Sequence, residues 1–238
     1  MFSLRFFGLA AGLAGLLGGM LVSPEPLQAQ SSYTRPPVID RMQAYKKLTQ
    51  SDPDQELVEL HTLMAELVYD LRYASTDNFT KQALYPTATA LCFLRRSAAE
   101  ALLRVAMSLQ KNGLGLKIFD AYRPYAVTEK FWKLIGDERY VAHPAKGSGH
   151  NRGIAVDLTL IELKTKKELD MGTGFDNFTD TAHHSFRDLS EQVLQNRKLL
   201  RDEMSAQGFL ALDTEWWHYA LPNGVRYPLL NIPFKKIK

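Results

Sequence analysis

The sequence predicts an α+β domain in which helices pack against a mainly antiparallel sheet. Short apolar runs of strand character and longer runs of helical period are interspersed along the chain, without the regular βαβ rhythm that a parallel sheet would need. Gly, Pro and Asn-Gly punctuate them. With 238 residues, 45% hydrophobic and 23% charged, the chain has material for one globular domain with a sizeable core plus an appendage, and is neither disordered nor a multispan membrane protein.

In chain order, Arg5 precedes an apolar run from Phe6 to Val22, broken by Ser23-Pro24-Glu25-Pro26, and Leu27-Gln28-Ala29 offers a small residue for cleavage. This is the pattern of an export signal over 1–29, with neither a twin arginine nor a lipidation cysteine, so the mature protein is expected outside the cytoplasm, in the periplasm, with no stable membrane insertion. Residues 30–55 are polar, with Pro36-Pro37 and Ser51-Asp52-Pro53-Asp54, and read as a surface arm ahead of a domain over 56–238. Leu67 to Tyr73 alternates like a half-buried strand. Ser97 and Glu100 form a capping box for a helix that carries Ala98, Ala101, Leu102, Val105 and Leu109 inward and stops at Asn112-Gly113. Leu116 to Tyr122 is strand-like and closes at Arg123-Pro124; Val127 to Ile135 is helical, as is Glu191 to Gln207 up to Gly208. Ile154 to Leu160 and Trp216 to Ala220 are rich in β-branched or aromatic residues and read as strands.

Charge and cysteine content narrow the chemistry. A net charge of +3, with Lys235-Lys236-Ile237-Lys238 the one dense basic run, is too little for a nucleic-acid binder. The lone Cys92, between Leu91 and Phe93, excludes an internal disulfide and a cysteine-based zinc knuckle, so any metal site must draw on the six histidines and the carboxylates.

Two polar stretches enter apolar strands. Asp157 lies inside such a run, where a carboxylate is costly unless paired or metal-bound. His150 precedes it by seven residues, a separation that in extended chain would exceed about 20 Å, so Gly153 must supply a bend. In Glu215-Trp216-Trp217-His218 the carboxylate and the imidazole are three apart and would face opposite sides of a regular strand. Glu215 must therefore come from an irregular strand start. His150, Asp157 and His218 as ligands with Glu215 as a base meet the count of a hydrolytic zinc centre, three N/O ligands plus a carboxylate that leaves the metal free. Arg123 fits either a donor to a developing oxyanion or a structural partner of Asp120. Asp176, in a glycine-containing loop from Asp170, fits either a substrate ammonium or a cap for the next segment. Adjacent residues diverge, so His183-His184 argues little for a second metal site.

The combination resembles a known family. Ser-x-His-x-x-Gly-x-Ala-x-Asp over Ser148 to Asp157 and Glu-x-x-His over Glu215 to His218 are similar to the zinc D-alanyl-D-alanine peptidases. Tyr73-Ala74-Ser75-Thr76-Asp77-Asn78-Phe79, Asp120-Ala121-Tyr122-Arg123-Pro124, Met171-Gly172-Thr173-Gly174-Phe175-Asp176 and Glu215-Trp216-Trp217-His218-Tyr219 resemble its dipeptidase branch, with Ser75 where the branch usually has Thr. The resemblance implies one Zn²⁺ held by His150, Asp157 and His218 at the sheet, Glu215 as catalytic base, Arg123 stabilising the tetrahedral intermediate, and Asp176 with Ser148 meeting the free amine of a small D-amino-acid dipeptide. Export sets this chain apart from the cytoplasmic resistance dipeptidases and points to wall turnover or dipeptide scavenging. A D,D-carboxypeptidase or endopeptidase acting on stem peptides, and a non-catalytic zinc module, are the competing readings.

Overall fold

The computed structural model describes residues 33–86 and 89–237; the export signal expected over 1–29 lies outside them. The strands and α-helices are, in order, β1 (Val38–Ile39), α1 (Met42–Ser51), β2 (Leu57–Glu59), β3 (Val68–Tyr69), β4 (Phe93–Arg95), α2 (Arg96–Gln110), β5 (Leu114–Asp120), α3 (Tyr125–Ile135), α4 (Gly149–Arg152), β6 (Ala155–Glu162), α5 (Glu191–Ala206), β7 (Leu210–Leu212), β8 (Glu215–Ala220) and β9 (Leu229–Leu230). Among the described residues no helix is long and apolar enough to cross a membrane.

Five strands form the central sheet in the order β3-β5-β6-β8-β7. The fold is α+β as expected, but the sheet is mixed: β5, β6, β8 and β7 pair antiparallel, whereas β3 lies parallel to β5. The chain between β3 and β5 passes through β4 and α2, and such a crossover returns a strand in the same direction. A second parallel pair, β1 with β9, and the antiparallel pair β2 with β4 stand apart from this sheet.

One face of the sheet packs on helices. Leu116 and Ile118 of β5, Val156, Leu158 and Leu160 of β6, and Tyr219 of β8 join Ala98, Leu102 and Val105 of α2 and Leu200 and Met204 of α5 in one buried cluster. The opposite face, with Asp157 and its cross-strand partners, is left for polar side chains. Cys92 is a free, buried thiol in the same cluster, where burial pushes its pKa up and keeps it inert.

Three local expectations are corrected. The stretch read as a polar arm is structured from Tyr33 onward: α1 buries Tyr45, whose hydroxyl accepts from the Leu57 backbone N–H at 2.7 Å, and β1 pairs with β9. The run Leu67 to Tyr73 contributes only Val68–Tyr69 to the sheet, and Arg72–Ala74 turns into a short 3₁₀ segment. Ser97 is not a cap. Helix α2 starts at Arg96, and the Ser97 hydroxyl is 2.8 Å from Tyr227 Oη, a tertiary contact that local sequence could not reveal.

The histidines outside the cleft take structural places. His61 Nε2 bonds to the Leu67 carbonyl and the ring stacks on Tyr69; His143 packs edge-on to Trp132. His184 packs near Tyr219, and burial first, then the charges of Arg201 and Arg197 on α5, lower its pKa to about 4 against a weaker opposing pull from Asp213. The unfolded chain would bind this proton near pH 6.5, so the folded state loses stability as pH falls from 6.5 towards 4 and keeps it in full above that window. The expected result is a melting temperature that drops on acidification through this range, with a shallower drop in His184→Gln, read by thermal denaturation at several pH values.

Candidate active site

All seven residues singled out from the sequence, Arg123, Ser148, His150, Asp157, Asp176, Glu215 and His218, line one cleft of about 390 Å³. Backbone register brings most of them together. On β6, Asp157 pairs with Asp120 of β5 on one side and His218 of β8 on the other, which sets the three side chains on one face of the sheet. Along β5, Leu116 and Ile118 point to the helices, and regular alternation would send Asp120 the same way. A register shift between Ile118 and Asp120 turns Asp120 to the cleft face instead.

His150 arrives from α4. Ser148 caps this four-residue turn, its hydroxyl accepting from the Asn151 N–H while the Asn151 side chain accepts from the Ser148 N–H. Gly153, at φ 71°, ends it and supplies the expected bend; a Cβ there would come within 2.8 Å of the Leu57 side chain, so both the conformation and the space call for glycine. The turn is fastened to the end of β5: Arg123 N–H donates to His150 O, Asn151 Nδ2 donates to Arg123 O, and His150 Nδ1 donates to Ala121 O at 2.8 Å. Because a carbonyl only accepts, that last bond puts the imidazole proton on Nδ1 and leaves Nε2 with its lone pair facing the cleft.

At the centre, His150 Nε2 is 3.2 Å from His218 Nδ1 and 3.3 Å from Asp157 Oδ2, and His218 Nδ1 is 2.8 Å from Asp157 Oδ1. The donor atoms of His150, Asp157 and His218 lie within 4.8 Å of one another, the group among the described residues that could hold a metal ion. Two imidazoles and a carboxylate are a suitable N/O donor set for a divalent metal, and the fixed tautomer of His150 suits a ligand, so the residues fit such an ion. Among the described residues, His183 and His184 form no such group.

The flanking carboxylates differ in surroundings. Glu215 Oε2 is 3.9 Å from His218 Nδ1. It reaches that side through the irregularity expected at the strand start: Ala211 pairs with Tyr219 but Leu212 pairs with Glu215, so β8 carries extra residues there. Burial raises the Glu215 pKa above its ordinary value, although the His218 charge opposes it. Asp176 sits across the cleft at φ 58°, with Tyr73 Oη donating to both carboxylate oxygens at 3.1 Å. Burial, followed by the Asp157 charge, pushes its carboxyl well above the usual range.

Arg123 does pair with Asp120, through Nε at 2.9 Å and Nη2 at 2.7 Å, while its guanidinium lies over the Phe131 and Tyr73 rings at 4.7 and 5.2 Å. The partnership with Asp120 is therefore present, and Nη1 has no protein partner among the described residues. Tyr85 donates to the other Asp120 oxygen at 2.5 Å. Sequence reasoning gave no role to Tyr73, Tyr85 or Asn151. Asn151 carried a signal, standing at the third helical position after a capping serine; Tyr73 stands in one of the stretches that carry the family resemblance, whereas Tyr85 reaches the site from an irregular segment and carried none.

Comparison with known proteins agrees with this geometry. A family model described as D-Ala-D-Ala dipeptidase matches residues 53–236. The chain is 39% identical to the D-alanyl-D-alanine dipeptidase of Escherichia coli (strain K12) over 175 residues, covering 74% of this chain and 89% of that one. It is 32% identical to the Enterococcus faecium D-alanyl-D-alanine dipeptidase over 182 residues, covering 67% of this chain and 90% of that one. Among solved structures, the LdcB LD-carboxypeptidase overlaps 58% of this chain and 64% of that chain at 20% identity, with a TM-score of 0.37, too low to carry an argument. A matched span that contains the whole cleft, and curated relatives covered nearly end to end, lead to one conclusion: the chain belongs to the D-Ala-D-Ala dipeptidase family and is a metallopeptidase with D,D-peptidase activity.

Proposed function

We propose that the protein is a zinc-dependent dipeptidase that hydrolyses free D-alanyl-D-alanine outside the cytoplasm, in wall turnover or dipeptide scavenging. The observation that carries this reading is the convergence of His150 Nε2, the Asp157 carboxylate and His218 Nδ1 within 4.8 Å in a cleft that Glu215, Arg123 and Asp176 also line. In it, His150, Asp157 and His218 hold the metal. When bound, Zn²⁺ supplies Lewis-acid polarisation and acidifies water.

The chain's own residues do the rest. Glu215 accepts a proton from the attacking water as its oxygen bonds to the scissile carbonyl carbon, and returns that proton to the leaving D-alanine nitrogen as the C–N bond breaks. A carboxylate whose pKa is raised by burial suits a group that must both take and give a proton. Arg123 stays charged, because Asp120 and the neighbouring tyrosines outweigh the effect of burial, and its free Nη1 donates to the carbonyl oxygen as negative charge grows there. Asp176 reads the substrate ammonium. Burial and the charge of Asp157 disfavour its ionised form, and the substrate ammonium supplies a counter-charge. Ser148, its lone pair engaged by the Asn151 N–H, retains a hydroxyl proton for the substrate.

Two measurements test the reading. Metal analysis should find one zinc per chain, and free D-Ala-D-Ala should be hydrolysed far better than an N-acylated stem peptide ending in D-Ala-D-Ala. Equal or better cleavage of the acylated substrate would instead favour the carboxypeptidase or endopeptidase reading. Asp176→Asn keeps the shape and the Tyr73 contact but loses the charge. Its KM for the free dipeptide should rise by roughly 10–100-fold, the worth of a charge-assisted hydrogen bond, with cleavage of the acylated peptide unchanged. Export is tested by fractionating cells and sequencing the mature amino terminus, expected just after Ala29.

A further inference from the structure

A second polar pocket lies on the far side of the sheet from the cleft. His218 faces the cleft, whereas Tyr219, the next residue of β8, shares the opposite face with Leu200 and Met204 of α5. Over the outer side of α5, His184, Arg187, Glu191, Arg197, Lys198 and Arg201 line a cavity of about 340 Å³. Glu191, Lys198 and Arg201 follow one another at helical spacing, so a single helix face presents them.

The positive charge there is poorly compensated. Arg197 is buried, and its guanidinium donates only to carbonyls, those of Met171 at 2.7 Å, Thr181 at 2.9 Å and His183 at 3.3 Å, which leave its charge unpaired. Among the described residues, the side chains of Arg187 and Arg201, like that of Arg41, make neither a hydrogen bond nor an ion pair; the other described arginine side chains are each engaged by a carboxylate, carbonyl or amide oxygen. Neither Arg187 nor Arg201 is paired by the acids around it, among which Glu191 lines the pocket and keeps its charge. Glu191 Oε1 accepts from Gln195 Nε2 at 3.0 Å, and Asp202 pairs with Lys198.

Two buried polar atoms in the same neighbourhood lack partners: His184 Nε2 and Tyr219 Oη, on rings 6.2 Å apart. The depressed pKa of His184 keeps it neutral, with one N–H to donate. Unpaired guanidinium groups beside buried polar atoms without partners fit an oxyanion site.

We propose that this pocket binds a phosphate-class oxyanion, held by Arg187 and Arg201, with Arg197 adding positive field and His184 on its lining. A phosphate brings up to two charges and several acceptor oxygens to match convergent cations, where a carboxylate brings one charge and two. The same group is present on free phosphate esters and on anionic lipid headgroups.

The test titrates the full chain with inorganic phosphate by calorimetry, chloride holding ionic strength constant, and sediments it with phosphatidylglycerol vesicles against phosphatidylcholine vesicles. Saturable phosphate binding is expected, weakened about 10-fold or more for each guanidinium removed in Arg187→Gln and Arg187→Gln/Arg201→Gln. D-Ala-D-Ala hydrolysis should be unchanged in both. Vesicle binding that phosphate competes away, and that the same variants lose, identifies a headgroup as the source; phosphate binding without vesicle binding identifies a free phosphate compound. Absence of saturable phosphate binding, or equal affinity in Arg187→Gln, overturns the proposal. Arg187 is exposed and its side chain makes no hydrogen bond or ion pair among the described residues, so the single variant remains informative if the double one is unstable.

Discussion

Glu215→Ala is expected to retain its metal and to lose D-Ala-D-Ala hydrolysis by about 10²–10⁴-fold, the usual contribution of a positioned acid-base group. Glu215 Oε2 stands 3.9 Å from His218 Nδ1, near the His150–Asp157–His218 cluster but outside it, so its removal spares all three donors. His218→Ala should behave differently, losing both metal and turnover, because His218 is one of only three protein donors in the cluster. Metal content by mass spectrometry and the rate of D-alanine release, measured on the same preparations, separate the two outcomes. Turnover near wild type in Glu215→Ala would overturn the assignment of the base, and full metal content in His218→Ala would overturn that of the ligand.

Asp120→Asn should produce a large loss of stability. Asp120 is 1% exposed and accepts from Tyr85 Oη and from Nε and Nη2 of Arg123, itself only 8% exposed. Neutralising it leaves a buried guanidinium without its counter-ion, a change that typically costs about 3–5 kcal/mol, or roughly 6–20 °C in Tm for a domain of this size. Loss of kcat should accompany it, since the same two bonds aim Arg123 at the cleft. Tyr85→Phe removes one hydrogen bond and keeps the ion pair, so its cost should be nearer about 1 kcal/mol with kcat retained. Comparing the two variants by thermal denaturation and by kcat distinguishes the ion pair from general packing, and equal losses in both would count against this account of Asp120.

Much of this was legible in the chain. Helices α2, α3 and α5 were marked by apolar spacing and by Gly113, Gly136 and Gly208, all of which adopt the left-handed conformation. Strands β5, β6 and β8 were marked by β-branched and aromatic runs. The metal-ligating candidates were legible because a carboxylate within an apolar strand and an imidazole after a glycine-rich turn have few inexpensive explanations. Less legible were the short elements. Strand β3 is two residues long, and α1 buries little beyond Tyr45, so neither imposes a strong period on the sequence.

The chain's local composition carries the chemical groups and the geometry needed to use them: the bend at Gly153, the irregular start at Glu215, the helix ends and the apolar strands. Those are short-range steric and hydrophobic facts, written in neighbouring residues. Tertiary structure alone decided which distant groups meet. The parallel placement of β3, the turning of Asp120 into the cleft by a register shift, the sharing of Arg123 between an ion pair and an open Nη1, and the approach of Tyr73 to Asp176 depend on strand register and on contacts across as many as 103 positions. A one-residue change of register sends a side chain to the other face of a sheet, and no local preference at Asp120 or Tyr73 records that choice.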